Sequence, residues 1–579
     1  MLRRTGLMML PLLLALLTLP QTGVAQSQRR WLSDPELLTW RGEGGVLRQV
    51  GNRIIDIDLA DERTGWAVDT RGLQRFDGRF WRPAVDYGSM VNLIALDLSS
   101  ATSGWAVGSA FIPGGPNAVY FARLIGTEWT ITTDVILKDG STGLLRGNLL
   151  DVAVQPDNTA LAVGSAFDAD FRTRPLVVFF DGLAWRDVTP DAWRDGYLTS
   201  VSITGPTEVW VGGTLGVIGG SGSTAPRPLL ARVQDSIWSE ASVPELAPEV
   251  RIDKVIMRNS SEGWAIAVNP TVRCSSQLLR YSDGEWHDIS LVLSPLKVIS
   301  ALALIPGTNR GWLSLADCGE FSGQRMRFDD GVLTRDATGA QLMPHTYALL
   351  NDDVQWAASE GAMLRYSDER LPTERVAGAG PGVRYFPTTG HTLSGPFRQY
   401  YETHGLELGD RGVSDREALA LFGYPLSETF TEINPDTGEL LQVQYFERAR
   451  FEYHPENPEP YKVLLGRLGV NTLIRLNRAF GPDPIAPPPG PNCAAFDETP
   501  FALCPPFRAF WERSGGLPVF GFPITAAADE ISATDGQRYR TQWFERERLE
   551  DHPEHRGTAY AVQLGLLGAE ELRLRGYMQ

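Results

Sequence analysis

Two arginine pairs recur in the carboxyl-terminal part of the chain, in the motif Phe-Glu-Arg-x-Arg. On a strand, one face of this motif would carry Phe446, Arg448, Arg450 and Glu452 in the first copy and Phe544, Arg546, Arg548 and Glu550 in the second. Two guanidinium groups beside one carboxylate leave a cationic fork suited to a carboxylate or phosphate ligand. The four arginines are therefore candidate ligand-binding residues. The alternative is an internal ion-pair ladder against Glu402 or Glu512, which also recur.

Two further repeated motifs resemble metal ligands, but each has a simpler structural interpretation. His-Pro-Glu occurs at 454–456 and 552–554, and a zinc site would need three or four converging ligands, of which each copy offers two. Asp-Gly corners occur at Asp77, Asp181, Asp283 and Asp330. We favour turns over calcium sites there, because Asp before Gly accepts local backbone hydrogen bonds. The sequence predicts no metal site and no cofactor.

A search for catalytic motifs gives no candidate catalytic residues. The chain lacks Gly-x-Ser-x-Gly, His-Glu-x-x-His and a phosphate-binding Gly-rich loop. Its net charge of −17 also excludes a nucleic-acid binder that works by counterion release. We therefore expect a non-catalytic protein.

An internal repeat organises residues 50–371. Each unit has an apolar alternating segment, a turn, a motif such as Gly-Trp-Ala-Val, and a second segment that ends near a Trp. The anchor residues are Trp66, Trp105, Leu161, Trp210, Trp264, Trp312 and Trp356. Alternation with a period of two residues and regularly spaced turns are typical of propeller blades. The pattern predicts about seven blades, in which the repeated Trp residues pack between blades rather than stack on sugars.

The last unit lacks its terminal Trp. A short apolar run, Leu37–Gly42, contains Trp40. We predict that Trp40 and its strand complete the last blade and so close the ring, which removes exposed sheet edges.

The paired motifs resemble those of a known group of propellers. Phe-Asp-Gly-Arg-Phe-Trp (76–81), Phe-Asp-Gly-Leu-Ala-Trp (180–185) and Tyr-Ser-Asp-Gly-Glu-Trp (281–286) look like shortened Asp-box and photosystem-assembly-factor-like repeats. This resemblance implies a fold, and folds host many functions. Six-bladed sialidases also carry Asp-boxes, but the Arg-Ile-Pro element typical of that family is missing near the start of the repeats.

A second duplication follows a linker of small residues. In order, each copy has an aromatic Phe-Arg-x-aromatic-aromatic-Glu segment, a Phe-Gly-aromatic-Pro element, the arginine motif and Leu-Gly-x-Leu-Gly, and the arginine motifs are 98 residues apart. The copies predict two homologous α+β modules. They resemble LGFP-type repeats of secreted bacterial proteins, and that resemblance implies attachment to the cell envelope.

The amino terminus predicts export. Residues 1–25 have a basic start, an apolar run and the ending Gly-Val-Ala, which are the features of a cleaved signal peptide. No later stretch is long and apolar enough for a transmembrane helix. The four cysteines of an exported chain favour two disulfides, which we assign in sequential order as Cys274 with Cys318 and Cys493 with Cys504.

The sequence therefore predicts an all-β seven-bladed propeller followed by an α+β region of two modules. The predicted divisions are 1–25 signal peptide, 31–371 propeller, 372–384 linker, 385–470 first module, 471–500 Pro-rich linker and 501–579 second module. The expected function is a binding or scaffold protein, secreted or held in the periplasm or at the cell surface. Its expected partner is an envelope polysaccharide or a surface protein. The alternatives are an extracellular sialidase-like hydrolase and an assembly factor for a membrane complex.

Overall fold

A computed structural model of the chain describes residues 29–33, 38–43, 46–51, 53–168, 172–216, 226–246, 249–269, 275–290, 297–317, 323–336, 338–339, 342–359, 362–476, 478, 490 and 492–578. The predicted signal peptide, and the predicted pairing of Cys274 with Cys318, lie outside these residues. In the described part of the chain, no helix has both the length and the apolar character needed to cross a membrane.

The amino-terminal part of the chain consists of consecutive antiparallel sheets whose strands pair in chain order. The first three sheets contain β4 (Ile54–Asp61), β5 (Thr64–Asp69), β6 (Gly72–Phe76) and β7 (Trp81–Asp86); β8 (Val91–Ser100), β9 (Ser103–Ala110), β10 (Ala118–Ile125) and β11 (Glu128–Thr132); and β14 (Gly147–Val154), β15 (Ala160–Phe167), β16 (Thr173–Phe180) and β17 (Trp185–Asp187). A hairpin of β12 (Asp134–Ile136) and β13 (Thr142–Leu144) extends the third sheet, where β12 runs parallel to β17.

The following sheets continue this pattern. They contain β18 (Gly196–Gly205), β19 (Glu208–Leu215), β20 (Arg227–Gln234) and β21 (Ile237–Glu240); β22 (Arg251–Asn259), β23 (Glu262–Val268), β24 (Ser276–Ser282) and β25 (Glu285–Asp288); β26 (Lys297–Leu304), β27 (Arg310–Asp317), β28 (Gly323–Asp329) and β29 (Val332–Asp336); and β30 (Thr346–Leu349), β31 (Gln355–Ala358) and β32 (Met363–Ser367). The fourth strand of the last sheet is β1 (Arg30–Ser33), from the amino terminus.

The last sheet lies against the first, so the sheets close into a ring. The Thr346 hydroxyl donates to Asp56 at 3.1 Å, and His345 Nε2 lies 2.7 Å from the carbonyl oxygen of Ile54. First strands of successive sheets lie beside one another around much of the ring. This arrangement is that of a β-propeller.

The repeated Trp residues pack between neighbouring sheets, as the sequence predicts. The Trp105 ring lies 4.9 Å from Trp185 of the next sheet, and Trp356 of the last sheet lies 5.6 Å from Trp81 of the first. All of the anchor residues are buried. The second strands are consequently buried on both faces, which explains their continuous run of small and apolar residues.

The strand that closes the ring is not the predicted one. Trp40 lies in β2 (Leu38–Glu43), which pairs with β3 (Val46–Gly51) in a separate sheet. The closing strand is β1, in which Trp31 pairs with Tyr366 of β32. A closing strand here must fill a core on each of its faces, and adjacent Trp31 and Leu32, both fully buried, meet that requirement.

Strand β1 also joins the ring to the carboxyl-terminal region. Leu32 packs in a cluster with Leu371, Leu426 and other residues of that region, whereas Trp31 packs on Trp312 in the ring. The amide of Ser33 donates to the carbonyl of Arg575 at 2.9 Å, and the Arg575 guanidinium donates back to the carbonyl of Ser33 at 2.8 Å.

The carboxyl-terminal region contains two similar series of elements. The first comprises β33 (Arg384–Phe386), β34 (His391–Leu393), α1 (Gly395–Thr403), α2 (Asp415–Phe422), β35 (Phe430–Ile433), β36 (Leu440–Tyr445), β37 (Arg450–Tyr453), β38 (Val463–Leu465) and α3 (Leu468–Arg475). The second comprises α4 (Phe507–Arg513), α5 (Gly516–Phe520), β39 (Ala528–Ile531), β40 (Arg538–Trp543), β41 (Arg548–Asp551), β42 (Val562–Leu564) and α6 (Leu567–Leu574). Helix α3 runs to Arg475, beyond the predicted module end at 470.

The two series pack on each other because the last helix of each series begins against the other series. The amide of Val470 in α3 donates to the backbone carbonyl of Glu545 in the second series at 3.2 Å, and the amide of Ala569 in α6 donates to the backbone carbonyl of Glu447 in the first at 3.1 Å. A Cβ atom on Gly469 or Gly568 would lie 1.9 Å from the carbonyl oxygen opposite, so glycine is required at both places. The predicted disulfide between Cys493 and Cys504 is present at the start of the second series.

Candidate functional site

A group of carboxyl side chains lies along the first strands of the ring. Asp56 and Asp58 are in β4, Asp97 is in β8 and Asp151 is in β14, and the Lys254 ammonium of β22 contacts Asp151 at 3.1 Å. Sequence analysis did not single out these aspartates. The available signal was the recurrence of Asp inside otherwise apolar strands.

Each of these carboxylates accepts a hydrogen bond from the backbone of the next sheet. The acceptor and donor pairs are Asp56 with Leu96 at 2.9 Å, Asp58 with Leu98 at 2.9 Å, Asp97 with Val154 at 2.5 Å and Asp151 with Val201 at 2.9 Å. The hydroxyl groups of Ser200 and Ser202 accept in the same way from Val255 and Met257. First strands have an edge with no strand partner, and these side chains satisfy its amides.

Burial raises the pKa of three of these carboxyl groups. Removal from water raises the pKa of Asp56 to about 6 and that of Asp58 to about 7, and the pKa of Asp97 is also raised. The carboxyl groups of Asp58 and Asp97 hydrogen bond to each other. Below these raised pKa values, two carboxyl groups in this contact share a proton, because two carboxylate anions would repel.

The first strands do not assemble the arginine cluster that a sialidase-like site requires. In the described first strands, from β4 to β30, the arginines are Arg251 and Arg258 at opposite ends of β22. Arg251 donates to the hydroxyl of Tyr197 at 3.3 Å and pairs with Asp253 at 2.9 Å. Arg258 pairs with Glu262. The aspartates of the first strands are therefore paired mainly with backbone amides.

The predicted strand face in the arginine motif is wrong for its first half. Strand β37 begins at Arg450, and the preceding residues form a turn in which the Phe446 amide donates to the carbonyl of Ala449 at 2.8 Å. The second copy has the same turn, closed by Phe544 and Glu547. Arg448 and Arg450 therefore do not share a strand face.

Arg448 and Arg546 lie at the turns, where each donates to the end of a helix. The Arg448 guanidinium donates to the carbonyl of Leu419 in α2 at 3.3 Å, and Arg546 donates to Leu517 in α5 at 3.2 Å. Cationic groups are favourable at helix carboxyl ends. Their side chains remain 22% and 24% exposed, and their guanidinium groups lie 3.7 Å from Glu447 and 4.0 Å from Glu545.

Arg450 and Arg548 are buried among carboxylates, with side chains 2% and 5% exposed. Arg450 pairs with Glu452, and with Glu432 at 3.6 Å. Arg548 pairs with Glu550 at 2.9 Å and Glu570 at 2.8 Å. The ladder predicted against Glu402 and Glu512 is wrong, because these two glutamates pair with Arg398 and Arg508 one helical turn away.

The two copies differ at one buried position between the arginines. The first has Ala449 and the second has Glu547, which is 1% exposed. Burial raises the pKa of Glu547 well above its usual range, although Arg448, Arg548 and Arg546 oppose this shift.

The His-Pro-Glu motifs make local contacts between histidine and glutamate side chains. His454 lies 3.0 Å from Glu456 and 3.4 Å from Glu452, and His552 has the same two partners in its copy. Hydrogen bonding to Glu452 raises the pKa of His454. No group of three His, Cys, Asp or Glu side chains in the described residues is arranged to hold a metal ion.

The Asp-Gly corners are turns of two kinds. The Asp77 carboxylate accepts from the amides of Arg79 and Phe80, and Asp181 accepts from Leu183 and Ala184 in the same positions. The amide of Ala184, the Arg186 guanidinium and the amide of Leu183 together lower the pKa of Asp181 to about 2. Asp283 and Asp330 instead adopt positive φ before Gly, as type I′ hairpins require.

Comparison with known proteins adds little beyond this geometry. No family model and no curated protein matches the chain. The similar solved structures include YCF48 bound to D1 peptide (15% identity, TM-score 0.38, 58% of this chain and 97% of that one). They also include a GH74 xyloglucanase from Xanthomonas campestris (14%, 0.41, 58% and 53%) and a Hadza microbial sialidase (12%, 0.33, 54% and 65%). At these identities and TM-scores, the matches carry no argument about activity.

Proposed function

We propose that the chain is an exported, non-catalytic binding or scaffold protein. A seven-bladed propeller would present the surface for a protein or glycan partner. Two homologous LGFP-like modules would attach the chain to an envelope polysaccharide or surface protein. A cleaved signal peptide at 1–25 would deliver it to the periplasm, the cell surface or the medium.

The observation that carries the non-catalytic assignment is the use of the first-strand carboxylates. A catalytic carboxylate must keep an oxygen available for a proton or a reacting carbon. Asp97 and Asp151 instead each accept from a neighbouring sheet, and Asp151 also contacts Lys254. These contacts supply hydrogen bonds that hold one sheet to the next.

The envelope role belongs to Arg448 and Arg546, because they are the more exposed pair. Each retains part of its side chain at the surface, where a guanidinium group can meet a carboxylate or phosphate of an envelope polymer. Arg450 and Arg548, also candidates from the sequence, would instead orient the turns through their buried carboxylate pairs.

The test is sedimentation of the purified mature chain with washed bacterial envelopes and with isolated wall polysaccharide. The whole chain is needed, because β1 contributes Trp31 to the ring and Leu32 to the other region. We expect the wild type to sediment, and Arg448→Ala with Arg546→Ala to bind about tenfold less. A charge-assisted hydrogen bond is worth about 1.5–3 kcal/mol, which corresponds to at least that factor.

The matched control is Arg398→Ala with Arg508→Ala. These arginines also occur once per copy and pair with a glutamate four residues away at the surface. The control should sediment like the wild type, and thermal unfolding should show that both double variants are folded. Wild-type chain that stays in the supernatant would refute the envelope assignment.

A further inference from the structure

A cavity of about 520 Å³ lies between the ring and the carboxyl-terminal region. Its wall includes the corner between β6 and β7, the segment after β32, strand β35 and the chain end near Tyr577. Small-molecule sites have volumes of about 300–1,000 Å³ and often lie between domains. The size and position of the cavity are those of a ligand site.

One side of the cavity is aromatic. Phe430 and Tyr577 stack with ring centroids 6.3 Å apart at an angle of 25°, and Phe80 is a further wall residue from the ring. Phe80 and Phe430 are only half-buried. Flat aromatic faces suit a ligand with an apolar face, such as the C–H face of a sugar ring.

Arg79 is the cation at this wall without a carboxylate in the described part of the chain. Its guanidinium carbon lies 4.9 Å from the centroid of Phe80, and its side chain is exposed. The other arginines of the wall have acidic partners: Arg365 with Glu369, Arg370 with Glu374, and Arg575 with Glu432. Arg79 therefore retains a charge that an anionic ligand would neutralise.

Glu428, a further acidic residue of the wall, is hydrogen bonded to strand β34. Its Oε1 accepts from the amide of Thr392 at 2.9 Å and lies 3.2 Å from His391 Nδ1, and its Oε2 accepts from the Thr392 hydroxyl. Both carboxylate oxygens are thus engaged by strand β34. The exposed residue Thr431 adds a hydroxyl group to the wall.

Arg79 and Phe80 occur at the corner between β6 and β7, which is the corner that faces the cavity. The equivalent corner of the third sheet has the same Asp-Gly turn, closed by the same hydrogen bonds, but carries Leu183 and Ala184 in their place. Leu183 is 90% exposed there. Turn geometry therefore does not require Arg79 and Phe80.

We propose that this cavity binds a carboxylate-bearing saccharide, with Arg79 holding the carboxylate and Phe80 and Phe430 packing on the sugar faces. The assignment rests on the proposed function for the saccharide class, and it adds a specific binding site at the junction to the one proposed at the arginine turns. A bound saccharide would contact both regions of the chain.

The test is titration calorimetry of the whole mature chain with trigalacturonate, using neutral galactotriose as the uncharged probe. We expect trigalacturonate to bind at least tenfold more tightly than galactotriose. Arg79→Leu with Phe80→Ala converts the corner to that of the third sheet, and should weaken trigalacturonate binding at least tenfold without loss of fold. The reverse change, Leu183→Arg with Ala184→Phe, should leave binding unchanged.

Absence of trigalacturonate binding by the wild type at millimolar concentration would overturn the proposal, and so would equal affinity in the Arg79 and Phe80 variant. Envelope sedimentation without trigalacturonate binding would reject this site and leave the proposed function standing. Trigalacturonate binding that depends on Arg79, without sedimentation, would reject envelope attachment and leave the site standing.

Discussion

At the scale of single residues, the most unusual contact is the hydrogen bond between the carboxyl groups of Asp58 and Asp97. Asp58 also accepts from Leu98, and Asp97 accepts from Val154. The pair thus connects three successive sheets. Because folding holds a proton at this pair and raises the pKa of Asp58 to about 7, stability must depend on pH.

The sign of that dependence follows from proton binding. Between the unfolded Asp pKa of about 3.9 and the folded pKa of about 7, the folded chain binds more protons, so the free energy of unfolding falls as pH rises. We predict that Asp97→Asn flattens this slope, since an amide donates to Asp58 without a shared proton. Urea unfolding at pH 5 to 8 measures the slope of the free energy of unfolding against pH. A slope unchanged in Asp97→Asn would contradict the shared proton.

A second variant, Asp97→Ala, tests the contribution of the backbone contact that Asp97 makes. Asp97→Ala removes the acceptor for the Val154 amide, so it should lower the free energy of unfolding at every pH. The expected loss is about 1–3 kcal/mol, the cost of a buried donor left without a partner.

At the scale of elements, helices α3 and α6 hold the carboxyl-terminal region together. Each begins beside the arginine turn of the other series, and glycine allows the close approach. Arg475 of α3 and Glu571 of α6 form a buried pair at 3.0 Å. Because each helix completes the opposite series, the two series should unfold as one unit.

We predict that Gly469→Ala or Gly568→Ala lowers the stability of both series together. The new Cβ would lie 1.9 Å from a carbonyl oxygen in either case, and overpacking of this kind costs about 1–3 kcal/mol. Hydrogen exchange in β37 and β41 measures the effect. Gly380→Ala, at an exposed site with open space around it, is the control, and loss of protection in only one series would contradict the single unit.

Elements with a regular signal could be predicted from the sequence. Trp spacing and alternation gave the propeller strands and the packing of Trp105 and Trp356 between sheets. Alternation could not locate the turn before Arg450, because a turn closed by two backbone groups leaves no residue pattern. The aspartates that join the sheets needed knowledge of which strand edges face one another.

At the scale of the whole molecule, strand β1 couples the two regions. Its alternate faces enter different cores, and Ser33 is hydrogen bonded to Arg475 and Arg575. Trp31 and not Trp40 closes the ring because the strand of Trp31 also fills the carboxyl-terminal core. It lies more than 300 residues away in the sequence, so a local pattern could not indicate it.

We predict that Trp31→Ala and Leu32→Ala each weaken both regions, but in different proportions. Loss of a large buried side chain costs about 3–5 kcal/mol for Trp and about 2–5 kcal/mol for Leu. Hydrogen exchange should show the larger loss of protection in β32 for Trp31→Ala and in α6 for Leu32→Ala. Equal loss in both variants, or loss confined to one region, would contradict coupling through β1.

Strand β1 also sets the order of assembly during synthesis. Ser33 bonds to Arg575, 542 residues later, and ribosomes add about 5–20 residues per second. The last partners of Leu32 and Ser33 therefore appear roughly 30–110 seconds after these residues are made, whereas Trp31 needs only the chain up to Tyr366. During that interval the apolar side chain of Leu32 is exposed to other chains. A holding chaperone at this end of the nascent protein would protect it, and the carboxyl-terminal core would be completed after the ring.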